Sequence, residues 1–65
     1  MGIEFGPLWT TLAEKGMKKG DLQEKAGLSS STIAKLGKNE RVSLEVIEKI
    51  GTALETSIER IMTLS

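Results

Sequence analysis

Between Lys15 and Arg41 the chain carries seven basic side chains, Lys15, Lys18, Lys19, Lys25, Lys35, Lys38 and Arg41, against three acidic ones, Asp21, Glu24 and Glu40. A run of four hydroxyls, Ser29-Ser30-Ser31-Thr32, stands inside that stretch. Net charge over the 65 residues is zero, so the surplus of four in the middle is matched by an equal deficit in the rest of the chain. A basic middle flanked by acidic ends makes a charge dipole, and the basic part is where a polyanion would be held. Surface lysines are often only solvated, and a serine ahead of a helix is often only a cap. What the cations and hydroxyls can do therefore depends on the elements that carry them.

Other chemistries are narrowed by composition. Cysteine and histidine are both absent, which removes disulfides, zinc fingers, thiol nucleophiles and imidazole bases. Glu45, Glu48, Glu55 and Glu59 are carboxylates without a companion acid-base group, so no enzyme activity, metal or cofactor is expected. No apolar run approaches a membrane span and no signal-peptide pattern is present, which points to a cytoplasmic protein. A length of 65 residues fits a single domain over residues 1–65, stabilised by helix packing or by packing with self-association.

Beyond a short lead-in, the apolar spacing is helical. Gly2 to Phe5 reads as an irregular lead-in. Pro7 suits the start of a helix, and Phe5, Leu8, Trp9 and Leu12 recur at helical spacing up to Gly16, giving a first helix over about 7–15. A second, mostly polar helix runs over about 18–26, with Leu22 and Ala26 on one face, and stops at Gly27. Ser29 caps a third helix over about 29–36 that buries Ile33 and Leu36 and turns Ser30, Ser31, Ala34 and Lys35 elsewhere. Gly37-Lys38-Asn39 closes it with residues tolerant of positive φ. Ser43 caps a fourth helix with the strongest apolar stripe, Leu44, Ile47, Ile50 and Leu54 with Val46 and Ala53. Thr56-Ser57-Ile58-Glu59 reads as a capping box before a fifth short helix carrying Ile58, Ile61 and Met62. No segment alternates with period two, so the expectation is an all-α compact bundle of five short helices with no sheet.

The second helix, the turn Gly27-Leu28-Ser29 and the third helix form a pair of short helices joined through a glycine, which lets the second helix project from the body and enter a groove. The run from Gly16 to Leu36, Gly-Met-Lys-Lys-Gly-Asp-Leu-Gln-Glu-Lys-Ala-Gly-Leu-Ser-Ser-Ser-Thr-Ile-Ala-Lys-Leu, resembles the core of the Cro/C1-type (XRE-like) helix-turn-helix family of repressors. Val42-Ser43-Leu44-Glu45-Val46-Ile47 and Ala53-Leu54 resemble that family's fourth helix, so the likeness covers about residues 7–62. The Leu8-Trp9 opening and the Gly37-Lys38-Asn39 loop resemble its short stand-alone members.

The resemblance implies a lambda-repressor-like fold and a small bacterial or phage-type transcriptional regulator that reads double-stranded DNA. It implies base contacts from Ser30, Ser31, Thr32 and Lys35. It implies phosphate contacts from Lys18, Lys19, Ser29, Lys38, Asn39 and Arg41. Lysine can donate to guanine O6 and N7, and hydroxyls discriminate less sharply; phosphate contacts fix register and add salt-sensitive affinity. Three departures stand out. Gln23 occupies a position where the family has Ala, so its side chain must turn outward. Lys19 replaces the usual Gln at the head of the second helix, and Gly37 replaces the usual Glu. Ile61, Met62 and Leu64 serve either as core or as a dimer surface, and a homodimer is expected because such proteins commonly bind paired half-sites. The alternative is a protein-interaction module, such as an antitoxin or antirepressor subunit, with the same fold. No small-molecule domain is expected, which leaves regulation to concentration, a protein partner or competition for DNA.

Overall fold

Pro7 sits in the first turn of α1 (Gly6–Glu14), where its missing N–H costs no helical hydrogen bond. The computed structural model describes residues 2–64; Met1 and Ser65, the outermost residues of the expected domain, lie outside the described residues. Three further helices follow: α2 (Lys19–Ala26), α3 (Ser30–Gly37) and α4 (Leu44–Leu54). The bounds of α1, α2 and α3 differ from the sequence-derived ones by one residue at one or both ends, and α4 starts directly after its expected cap, Ser43.

Helix starts follow the capping rules where a hydroxyl was available. Ser29 Oγ accepts from Thr32 N at 3.2 Å at the head of α3, and Ser43 Oγ accepts from Val46 N at 3.3 Å at the head of α4. At α2 the Asp21 carboxylate accepts from Lys18 N at 2.9 Å, satisfying one of the orphan donors of the first turn. Gly27 ends α2 in the left-handed region with φ 67°, and Leu28 N then donates to Gln23 O at 2.9 Å. A side chain at Gly27 would make that turn costly.

Phe5, Leu8, Leu22, Leu36, Ile50 and Ile61 are fully buried, so every helix and both end segments contribute to one core. Burying each such side chain is worth roughly 1.5–3 kcal/mol. Leu12, Leu28, Ile47 and Leu54 complete the core, with Ile3, Trp9, Met17, Ala26, Ile33, Val42, Val46 and Met62 packed partly against it. Gly51 allows the end of the chain to close on α4, because a Cβ there would stand 3.3 Å from Thr56 O and 3.7 Å from Ile61 Cδ1. Thr11, the buried polar side chain of α1, donates to Arg60 O at 2.8 Å and ties α1 to the C-terminal segment.

Two expectations are corrected. The fifth helix is a single 3-10 turn, Ile58–Arg60, so the described residues form four α-helices. Its N-cap is Ser57, with no side-chain cap hydrogen bond, so the Thr56-to-Glu59 capping box does not form. Glu55 ends α4 in the left-handed region with φ 51°, and Thr56 N donates back to Gly51 O at 3.0 Å. This closure commits Thr56 to the end of α4 and leaves only Ser57 free to precede the next turn. A sheet also exists where none was expected: β1 (Ile3–Glu4) pairs antiparallel with β2 (Thr63–Leu64), Ile3 opposite Leu64 and Glu4 opposite Thr63. Two-residue strands are too short to show alternation. The supposed lead-in is thus pinned to the end of the chain.

The apolar stripe of α4 also has an outlier. Ile47, Ile50 and Leu54 are buried, but Leu44, in its first turn, is 68% exposed. No helix among the described residues is long and apolar enough to cross a membrane.

Candidate nucleic-acid interface

Leu36 is buried and Ile33 packs partly against the core, so α3 is held by one side. Ser30, Ser31, Ala34 and Lys35 are exposed, and their i, i+1, i+4, i+5 spacing places them together on the outward face. Thr32 falls off that face: it is half-buried. Its hydroxyl lies 2.9 Å from Ser29 Oγ. Ser31 Oγ lies 3.0 Å from the same atom. Three of the four hydroxyls singled out in the sequence therefore form a local cluster at the head of α3, with Ser29 as its hub.

The candidate phosphate groups divide in the same way. Lys18 lies just ahead of α2, and Lys38 and Arg41 in the connection from α3 to α4; all three are exposed. Among the described residues the ion pair present is Arg60 Nη2 with Glu14 Oε1 at 3.0 Å, both side chains more than half exposed. Lys18, Lys35, Lys38 and Arg41 therefore carry charge that no described carboxylate neutralises at salt-bridge distance. Exposed cations free of a described carboxylate are the kind of group that a phosphate backbone can recruit.

Lys19 and Asn39 are engaged within the chain. The Lys19 ammonium stands 4.6 Å from the centroid of the Trp9 ring. Asn39 adopts φ 57° and its Oδ1 accepts from Phe5 N at 2.9 Å, which secures the backbone at the start of α1. The amide Nδ2 of Asn39 remains the end that can donate to an anion. Gln23 is half-buried rather than turned fully outward.

The three residues considered for a second role at the end of the chain separate clearly. Ile61 is core, 1% exposed; Met62 is half-buried; Leu64 is 69% exposed. Sequence reasoning did not foresee the pairing of Lys19 with Trp9 or of Asn39 with Phe5. For Asn39 a signal existed, since Asn after Gly-Lys was already marked as tolerant of positive φ. For Trp9 and Lys19 there was none, because the two lie on different helices with no spacing rule to join them.

Two short helices joined through the Gly27 turn, the second with Ser30, Ser31, Ala34 and Lys35 exposed, have the form of a helix-turn-helix unit. The chain belongs to the Cro/C1-type helix-turn-helix DNA-binding domain family, whose pattern matches residues 7–65. Among solved structures it is similar to that of the transcriptional regulator VanUg in its second crystal form, with a TM-score of 0.92 and 44% sequence identity, covering 95% of this chain and 83% of that one. No curated protein matches significantly.

Proposed function

We propose that this chain is a small bacterial or phage-type transcriptional regulator, acting in the cytoplasm without a catalytic role, that binds double-stranded DNA with α3 in the major groove. The observation that carries the proposal is the outward face of α3, where Ser30, Ser31 and Lys35 are exposed with no ion pair to Lys35 among the described residues. Lys35 donates to a guanine edge, and Ser30 and Ser31 contribute hydroxyl contacts. Thr32, half-buried, adds what hydrogen-bonding capacity its hydroxyl keeps beside the link to Ser29. Lys18, Lys38 and Arg41 grip phosphates with the Nδ2 end of Asn39, and Ser29 adds a contact at the head of the helix.

The chain acts as a homodimer in this reading. Leu44 and Leu64 are exposed, and Ile58 is 48% exposed. Nearby, Ile3, Val42, Leu44, Ile47, Ile58 and Met62 line an apolar groove of about 230 Å³. Leu64 shares the face of Ile3, its direct cross-strand partner, so the exposed aliphatic groups converge on one side. A second copy seated there doubles the bases read and the phosphates held, which a single short helix needs for useful affinity.

The test is selection of DNA from a random pool by the purified chain, followed by titration of the selected duplex at several salt concentrations. A palindromic product supports both sequence reading and the dimer. Binding should weaken steeply with salt and be abolished by Ser31→Glu with Lys35→Glu. No enrichment at low salt, together with a stoichiometric protein partner recovered from a lysate, would instead favour the protein-interaction reading.

A further inference from the structure

The Lys19 ammonium occupies the meeting point of three helices. Lys19 is the first residue of α2, its Nζ stands 4.6 Å from the centroid of Trp9 on α1, and a Cβ built on Gly37, the last residue of α3, would lie 3.7 Å from that same Nζ. A cation over an aromatic face is attracted by the ring quadrupole. A cation beside the last turn of a helix is attracted by the negative end of its dipole. Both attractions act on one atom.

The position matters because α3 has few other polar restraints. Its side-chain hydrogen bonds among the described residues are local ones to Ser29, at its own head. Its C-terminal half carries Lys35, two residues before Gly37, and is otherwise held by Leu36 and Ile33 in the core. Leu36 and Ile33 set which face of α3 meets the core, and a small change in tilt or rotation at its C-terminal end would move the aim of Lys35.

We propose that Lys19 is a positioning residue: its ammonium, braced by Trp9, fixes the C-terminal end of α3 and so the aim of Lys35, and does not itself neutralise a phosphate. This rests on the DNA-binding reading above and removes Lys19 from the phosphate-contacting set. Gly37 marks the place where the ammonium meets α3, since a Cβ there would stand in ordinary contact with it at 3.7 Å.

The two roles differ in their response to salt. Loss of a phosphate contact flattens the dependence of log affinity on log salt concentration by about 0.9 per contact, whereas loss of a brace lowers affinity at every salt concentration alike. The experiment is titration of a duplex selected from a random pool by the wild-type chain, between 50 and 300 mM salt, with Lys19→Met, Lys19→Arg, Trp9→Phe and Lys18→Ala, the fold of each checked by circular dichroism. Methionine keeps an unbranched stem without the charge. Lys19→Met should weaken binding roughly two- to fivefold, the effect of one exposed cation–π contact, with the wild-type salt slope. It should also reduce discrimination against single-base changes at the positions Lys35 reads. Lys19→Arg should restore affinity, because a guanidinium stacks on an aromatic ring. Trp9→Phe, with a weaker ring, should fall between them, and Lys18→Ala should flatten the slope. If Lys19→Met flattens the slope as Lys18→Ala does, or binds with wild-type affinity and discrimination, the positioning role is overturned while the DNA-binding reading stands. A wild-type chain that selects no DNA overturns both.

Discussion

Replacing Asn39 separates two jobs that one side chain holds at once. Asn39 stands at φ 57°, and its Oδ1 accepts from Phe5 N at 2.9 Å. Phe5 is fully buried, so its N–H has little access to water once the acceptor is gone. Leaving a buried donor unsatisfied costs about 1–3 kcal/mol. Asn39 itself is exposed, which lets water approach from its side and points to the lower part of that range, about 1–2 kcal/mol. Holding an alanine in the left-handed region adds about 1 kcal/mol.

Asn39→Ala should therefore lose about 2–3 kcal/mol, from a total that for a chain of this size is about 3–10 kcal/mol. Asn39→Gly relieves the backbone and loses only the acceptor, about 1–2 kcal/mol. Asn39→Asp keeps both the acceptor and a tolerance of positive φ, and should stay within about 0.5 kcal/mol of wild type. In thermal unfolding, at about 4–8 °C per kcal/mol for a domain this small, Ala should fall by about 10–20 °C and Gly by about half as much. Equal losses for Ala and Gly would refute the backbone contribution. Wild-type stability for Gly would refute the bond to Phe5. DNA affinity then reads the other end of the side chain: Asn39→Asp, folded and stable, places a negative charge where Nδ2 meets a phosphate, so binding should weaken although stability does not.

Three further outcomes follow from single contacts. Thr11→Val removes the hydroxyl that donates to Arg60 O in a site 3% exposed, and should cost about 1–2 kcal/mol in urea unfolding, whereas Thr11→Ser, which keeps the donor, should cost less. Glu55 is a non-glycine residue held at φ 51°; Glu55→Gly should raise the melting temperature by about 2–4 °C, relief of backbone strain outweighing the greater freedom of glycine in the unfolded chain. Lys18→Ala and Lys38→Ala should each reduce the slope of log affinity against log salt by about 0.9 without changing which duplex is preferred, and a change of preferred sequence would move either residue from the phosphates to the bases.

What the sequence made legible depended on distance along the chain. Ser29, Ser43 and Gly27 act within four residues of their own position, and their roles follow from capping and turn rules that need no knowledge of the rest of the fold. Leu22, Leu36 and Ile50 follow from helical spacing, which repeats over one element. Features that need two distant segments left no such mark. The β1–β2 pairing joins the two ends of the chain through two residues on each side, too few to set up a period. Leu44 fitted the stripe of α4 by spacing and is nevertheless 68% exposed, although Val42 before it and Val46 after it pack partly against the core.

The same limit shaped the reading of the cations and amides. Charge and residue type say that Lys18, Lys19, Lys38 and Asn39 are able to meet a phosphate, and they say nothing of whether another part of the chain already uses them. Lys18 and Lys38 have no described carboxylate at salt-bridge distance. Lys19 has Trp9, and Asn39 has Phe5. In a domain of 65 residues there is little surface to spare, so polar side chains beside the proposed groove-facing helix are recruited to hold that helix and its neighbours in place. Affinity and architecture then share residues, and a substitution at Lys19 or Asn39 reports on both unless, as with the salt slope and the Asp variant, the measurement is chosen to respond to only one.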